Sequence, residues 1–306
     1  MKNVKWVLLG IFTCLIFFFS CDDDSNILIP DSEDTSYNFA YEDSILFNST
    51  RILQTTNVQI GSINGTGIRQ LCDSLVSYDA SWTSNKRKIL FIGTPLYGGY
   101  TNWGIYQLDV KDYKIKRILP QDTLVSCASY SPDLKYIAYG VWKYPSGEKI
   151  KLYNTKTGVI KDLTDWINND INNISWSPDS KNILFGDGYV VNINIPGMTK
   201  LFTFTGQIFM PIWSPDGTKI AFSNANLTGY PNLYIHDLST GMTKLLYPQD
   251  KLQYIASWSK DSQQILFDQR PAGNSNGYLC KINIDGTNFV QITDGVEYDW
   301  NPCWFK

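Results

Sequence analysis

The chain has one histidine among 306 residues. Histidine-cluster metal sites need several imidazoles, so that class is excluded. The one present, His236, lies in Leu233-Tyr234-Ile235-His236-Asp237-Leu238, which reads as a strand where a packed or surface ring is expected. No two cysteines show C-x-x-C spacing, so a zinc site is not expected either, and no cofactor is implied. Lysine and arginine (26) do not exceed aspartate and glutamate (29), and no basic stripe occurs, so nucleic-acid binding lacks its electrostatic footprint. A long apolar run is missing too: Trp6 to Phe19 falls short of the about 20 residues a bilayer span takes. Helical periodicity is absent, and the best candidate, Asp165 to Asn173, is short, Asn-rich and reads as a loop.

Aromatic residues, at 14%, are what the chain has in quantity. They recur in register. In Pro211 to Phe222, PIWSPDGTKIAF, the segment Ser214-Pro215-Asp216-Gly217 fits a type I turn between two apolar strands. An aromatic opens the turn and another follows nine residues later. The same pair recurs as Trp82 with Phe91, Tyr130 with Tyr139, Trp176 with Phe185, Trp213 with Phe222 and Trp258 with Phe267. The opening aromatics stand about 37 to 48 residues apart, the period of a four-stranded propeller blade. The sixth copy is split. Ile45-Leu46-Phe47 is a second half lacking an opening, and Asn301-Pro302-Cys303-Trp304-Phe305 is a first half lacking an end. The expectation is an all-β, six-bladed β-propeller over residues 37–306, closed by pairing the C-terminal strand into the N-terminal blade so that no sheet edge stays open.

These repeats, with the stretch Ile282 to Thr293 as their second half, resemble the WD40-like repeat of TolB-type propellers. The resemblance covers about Tyr37 to Lys306 and implies architecture rather than a particular activity, because one fold hosts unrelated functions. TolB-type proteins carry a further α/β domain before the propeller, and this sequence leaves no room for one.

Residues 1–20 read as a signal peptide: Lys2 and Lys5, a short apolar run, then Ser20 before Cys21. Phe18-Phe19-Ser20-Cys21 resembles a bacterial lipobox, with Phe18 where leucine is usual, which makes Cys21 the expected site of lipidation and membrane anchoring. Residues 21–36 read as an acidic flexible tether. Asp22-Asp23-Asp24 resembles the export signal of some surface lipoproteins, or is a solvated spacer. The expected location is the outer membrane, facing periplasm or cell surface, with the propeller monomeric. Loss of Lys2 and Lys5 moves the formal charge from -3 to -5. Cys72, Cys127, Cys280 and Cys303 remain, and free buried thiols are expected, since Cys303 occupies the place of Ser81, Ser129, Ser175 and Ser257 in other blades.

Function on a propeller lives on the loops of one rim. The loops between second and third strands read as long and aromatic, bringing Tyr97, Tyr100, Trp103, Trp142, Tyr144, Tyr230 and Arg270, while the blade-to-blade loops bring Tyr78, Trp166, Phe209, Tyr254, Tyr298 and Trp300, of which Tyr254 and Trp300 are taken as binding candidates. Such a rim suits a protein hot spot or a stacking platform for sugars. The bland reading is that the same rings cover blade edges. Gly273-Asn274-Ser275-Asn276-Gly277 matches G-x-S-x-G but lacks the strand-to-helix context of a nucleophile elbow. Carboxylates on predicted blade-to-blade loops, Asp79, Asp122, Asp165, Asp170, Asp250, Glu297 and Asp299, leave open a glycosidic acid–base pair. Asp133, Asp179, Asp216 and Asp261 are turn residues at the opposite rim. The favoured reading is a lipid-anchored, non-catalytic module for an envelope protein or glycan; the alternative is a carbohydrate-active hydrolase or lyase using rim carboxylates, and a purely structural scaffold is a third.

Overall fold

The computed structural model describes residues 44–50, 56–72, 75–95, 103–119, 124–168, 171, 173–225, 230–271, 273 and 276–305. Residues 1–36, with Cys21, lie outside them, as do Tyr97, Tyr100, Asp122, Asp170 and Ser275. Regular structure among the described residues is entirely strand. In chain order the strands are β1 (Ser44–Ser49), β2 (Asn57–Ser62) and β3 (Arg69–Gln70); β4 (Leu75–Trp82), β5 (Lys88–Pro95), β6 (Gly104–Asp109) and β7 (Ile115–Arg117); β8 (Leu124–Tyr130), β9 (Tyr136–Lys143), β10 (Gly147–Asn154) and β11 (Ile160–Asp162); β12 (Ile174–Trp176), β13 (Asn182–Phe185), β14 (Tyr189–Asn192) and β15 (Met198–Lys200); β16 (Ile208–Trp213), β17 (Lys219–Asn224), β18 (Asn232–Asp237) and β19 (Thr243–Tyr247); and β20 (Lys251–Trp258), β21 (Gln264–Pro271), β22 (Tyr278–Asn283), β23 (Val290–Gln291) and β24 (Asp299–Trp304).

They form six antiparallel sheets of four. Blade 1 is ordered β24-β1-β2-β3, so the C-terminal strand is innermost in the N-terminal blade, and blades 2 to 6 follow in sequence. Each innermost strand contacts those of the blades before and after it, which closes the ring around a central channel. The six-bladed, terminally closed propeller is therefore the structure of the chain.

Strand two of each blade explains the missing alternation. In β17, Ile220 and Phe222 face blade 4 while Ala221 faces blade 6, so both sides of the strand are covered. Every blade junction holds one apolar cluster of this kind. Phe47, Phe91, Tyr139, Phe185, Phe222 and Phe267 each pack toward the preceding blade, and all are at most 4% exposed. Full burial of such a ring contributes roughly 1.5–3 kcal/mol, so six junctions carry much of the stability. The opening aromatics also reach backward: the indole N–H of Trp176 donates to the Ser129 carbonyl at 3.2 Å and that of Trp258 to the Ile212 carbonyl at 3.3 Å.

The turns are built as the sequence implies. The Gly217 N–H donates to the Ser214 carbonyl at 2.9 Å, and Ser214 Oγ donates to Asp216 Oδ1 at 2.6 Å. Ser131, Ser177 and Ser259 repeat the second bond onto Asp133, Asp179 and Asp261. The fourth turn position is left-handed in every copy, yet only Gly217 is glycine there; Lys86, Leu134, Ser180 and Ser262 adopt φ between 59° and 61°. Contacts across the blades account for three of them. Lys86 lies 4.4 Å over the Phe305 ring, while Ser180 and Ser262 accept from the backbone N–H groups of Asp133 and Asp216.

Two readings need correction. The segment from Gly140 to Glu148 is no long loop: β9 and β10 stay paired up to Lys143 and Gly147, leaving Trp142 and Tyr144 at a hairpin tip. Cys303 is half-buried, whereas Cys72, Cys127 and Cys280 are buried, and none of the four is joined in a disulfide. Asp165 to Asn173 is non-helical where described, and Ile167 bridges to Glu148 through paired backbone bonds of 2.8 and 2.9 Å.

Candidate binding site at the channel mouth

Aligning the innermost strands on the opening aromatic exposes a position that the loops had hidden. Four residues before that aromatic stand Tyr78 in blade 2, Phe209 in blade 5, Tyr254 in blade 6 and Trp300 in blade 1, against Ser126 in blade 3. Tyr78, Phe209, Tyr254 and Trp300 lie inside β4, β16, β20 and β24, not in blade-to-blade loops. The next residue, Asp79, Met210 or Asn301, has φ of 54°, 49° or 51°, and the register slips at the same place in each strand. A bulge of this kind turns side chains out of the regular alternation, and here it sits just inside the channel.

The rings and one cation join into a continuous stack. Phe209 meets Tyr254 edge-on at 6.2 Å; Arg270 lies 5.9 Å from the Tyr254 centroid and 5.6 Å from that of Tyr298; Tyr298 stacks on Trp300 at 4.5 Å. Of the residues expected at the rim, Phe209, Tyr254, Arg270, Tyr298 and Trp300 are thus brought together. Trp103 is elsewhere, edge-on to Tyr78 at 4.9 Å in the junction of blades 2 and 3. Trp142 and Tyr144 form a separate pair 6.2 Å apart at the hairpin tip, 42% and 79% exposed. Tyr230 is half-buried beside Asn232, whose side-chain amide donates to its carbonyl at 3.3 Å.

Beneath the stack lies a hydrogen-bonded chain of carboxylates. Asp268 Oδ1 accepts from the Asn301 backbone N–H at 3.3 Å; the Asn301 side-chain amide donates to Asp79 Oδ1 at 3.2 Å; Asp79 Oδ2 accepts from the Ala128 N–H at 3.2 Å. One chain therefore runs through blades 6, 1, 2 and 3. Burial pushes the Asp268 carboxyl up to about 7, against the lowering by the Asn301 N–H and Arg270, and burial also raises Asp79. Burial, then Asp268, raises the Tyr298 phenol. Asp79 and Asp299 were placed on loops by sequence and lie in innermost strands; Asp299 is buried and accepts from Ser49 Oγ at 2.5 Å. Asp268, which the sequence places at the start of the loop carrying Arg270 and not among the candidate carboxylates, lies inside β21.

Other candidates resolve plainly. His236 Nδ1 is 2.8 Å from Thr243 Oγ1, its ring stacks on Phe202 at 4.7 Å, and burial lowers its pKa. It is a packed strand residue. No group of three or more His, Cys, Asp or Glu among the described residues is placed to hold a metal ion. No helix among them is long and apolar enough to cross a membrane. A groove of about 390 Å³ lies away from the channel, between residues 161–167 of blade 3 and 192–198 of blade 4.

Comparison with known proteins agrees with this architecture. No protein-family profile matches the chain. It is 25% identical over 240 residues to the Tol-Pal system protein TolB of Francisella tularensis subsp. mediasiatica, covering 73% of this chain and 53% of that protein. The chain thus spans about half the length of the curated relatives it matches. Among solved structures, TolB from Acinetobacter baumannii superposes with a TM-score of 0.73 at 19% identity, over 86% of this chain and 67% of that one. An oligogalacturonate lyase in complex with manganese gives a TM-score of 0.52 at 12% identity, over 81% and 72% of the two chains. The ring of six blades, the split closing blade and the repeated W-S-P-D turns make this chain a TolB-like β-propeller.

Proposed function

We propose that this protein is a lipid-anchored component of the cell envelope whose propeller binds a protein partner, without catalysis, through the Phe209–Tyr254–Arg270–Tyr298–Trp300 face. The observation that carries it is the stack itself. Tyrosine, tryptophan and arginine are the side chains that dominate protein hot spots, and here Tyr254 and Trp300 come from innermost strands, Arg270 from β21 and Tyr298 from the residue before β24. The likeness to TolB, a Tol-Pal system protein, supports a binding scaffold, and the basic, apolar and cysteine-terminated start supports anchoring at Cys21. Chemical crosslinking in intact envelopes tests the reading. The mature chain should capture one envelope protein that a Phe209→Ala, Trp300→Ala variant of unchanged fold loses. Equal recovery by both would assign the rim a structural role only.

One observation favours the enzymatic alternative: Asp79 and Asp268 both have raised carboxyl pKa values and share Asn301. A carboxyl group kept protonated by burial can serve as the general acid on a glycosidic bond when a second carboxylate acts beside it. Both groups are, however, occupied by backbone and amide donors that stitch blades together. Depolymerisation of acidic or neutral polysaccharides that disappears in both Asp79→Asn and Asp268→Asn would establish that reading over the first.

A further inference from the structure

Arg270 is held and yet incompletely used. Its guanidinium lies between the Tyr254 and Tyr298 rings, an arrangement that fixes the plane of the fork. Its contact with Tyr298 Oη, donated by Nη1, is long at 3.5 Å. Among the described residues it forms no ion pair within 4.0 Å, and it is half-buried. The adjacent acid, Asp268, is buried and turns its Oδ1 to the Asn301 N–H instead. A guanidinium has five N–H donors in a fork that matches a carboxylate.

We propose that Arg270 anchors a carboxylate side chain of an acidic peptide segment at the channel mouth, with Tyr254 and Tyr298 as positioning residues that aim the fork. The inference rests on reading the propeller as a protein-binding module. A sugar acid would need an open aromatic face to stack on. Here Trp300 covers one face of Tyr298, and Arg270 lies over both tyrosines. The guanidinium is the group here with donors to spare, which suits a peptide carboxylate. The formal charge of the whole chain is negative, so an acidic peptide has no general reason to adhere.

The test is fluorescence anisotropy of a labelled hexaglutamate peptide with the mature protein at low salt. Saturable binding is expected, with hexaglutamine inert and trigalacturonate unable to displace the peptide. Arg270→Gln should weaken binding at least tenfold, and Arg270→Lys, which keeps the charge and loses the fork, should fall between. Arg270→Lys decides the matter alone if Arg270→Gln fails to fold. Absence of binding to the wild type, equal binding by the folded variants, or displacement by trigalacturonate would each overturn the proposal. Crosslinking separates the two levels: a partner captured equally by wild type and Arg270→Lys sinks the carboxylate anchor alone, whereas no captured protein sinks the binding module beneath it.

Discussion

Trp304 and Ile45 are cross-strand partners, although they come from opposite ends of the propeller sequence. The same pairing joins Trp82 to Ile89, Tyr130 to Ile137, Trp176 to Ile183, Trp213 to Ile220 and Trp258 to Ile265, each across a tight turn. The closing blade thus makes a local contact without a local connection. Forming it closes a loop of about the whole ring, an entropic cost that the local hairpins of the other blades do not carry.

Removal of β24 should therefore cost more than the contacts in it. A chain ending at Tyr298 leaves β1 as an open edge with Ile45, Leu46 and Phe47 uncovered, each now at most 1% exposed. Size-exclusion chromatography should show association or aggregation of this truncation. Trp304→Ala in the full chain should elute as the wild type does and lose about 2–4 kcal/mol in urea unfolding.

Gly217 alone among the five turn copies uses glycine for its left-handed position, with φ of 73°. A Cβ there would meet Pro178 Cγ at 3.4 Å, which the space tolerates, so the cost of Gly217→Ala is mainly conformational. About 1 kcal/mol is expected, a drop in Tm of about 2–4 °C by calorimetry.

The ring and its closure were legible because aromatic pairs at one offset survive every substitution in the turns. The site was less so. Trp300 read as a loop residue because the bulge at Asn301, repeated at Asp79 and Met210, breaks the two-residue period, and in β20 the register slips between Ile255 and Ser257, just after Tyr254. Trp142 and Tyr144 were seen as a loop because Gly140 and the sequence Pro145-Ser146-Gly147 suggest irregular chain, while cross-strand pairing carries β9 and β10 to the tip. Asp268 gave no signal: which blade a strand residue faces is settled by the neighbouring sheet.

Exposure separates the two aromatic groups energetically. Tyr144, 79% exposed, and Trp142, 42% exposed, make little of the core, so the double alanine variant should change unfolding free energy by no more than about 0.5–1 kcal/mol. Tyr254→Ala should cost clearly more, because its ring supports both Phe209 and Arg270. Parallel urea titrations of the two variants check this ordering, and comparable losses would mean that the hairpin tip is packed more tightly than its exposure indicates.

Asp268 makes stability depend on pH in a direction opposite to that of the turn aspartates. Its native carboxyl pKa, about 7, is above the ordinary carboxylate value because burial disfavours the charge. Between about pH 4 and 7 the native state holds a proton that the unfolded chain has released, so this group's contribution is full below that window and is lost as pH rises through it. Asp133, Asp179, Asp216 and Asp261 have lowered values and lose their contribution as pH falls below about 4. Asp268→Asn keeps an acceptor for the Asn301 N–H and cannot ionise. The unfolding free energy of the variant minus that of the wild type should therefore grow from pH 4 to pH 7, by an amount on the order of a few kcal/mol, and level off above. A pH-independent difference would mean that Asp268 stays ionised throughout, with Arg270 rather than burial setting its charge.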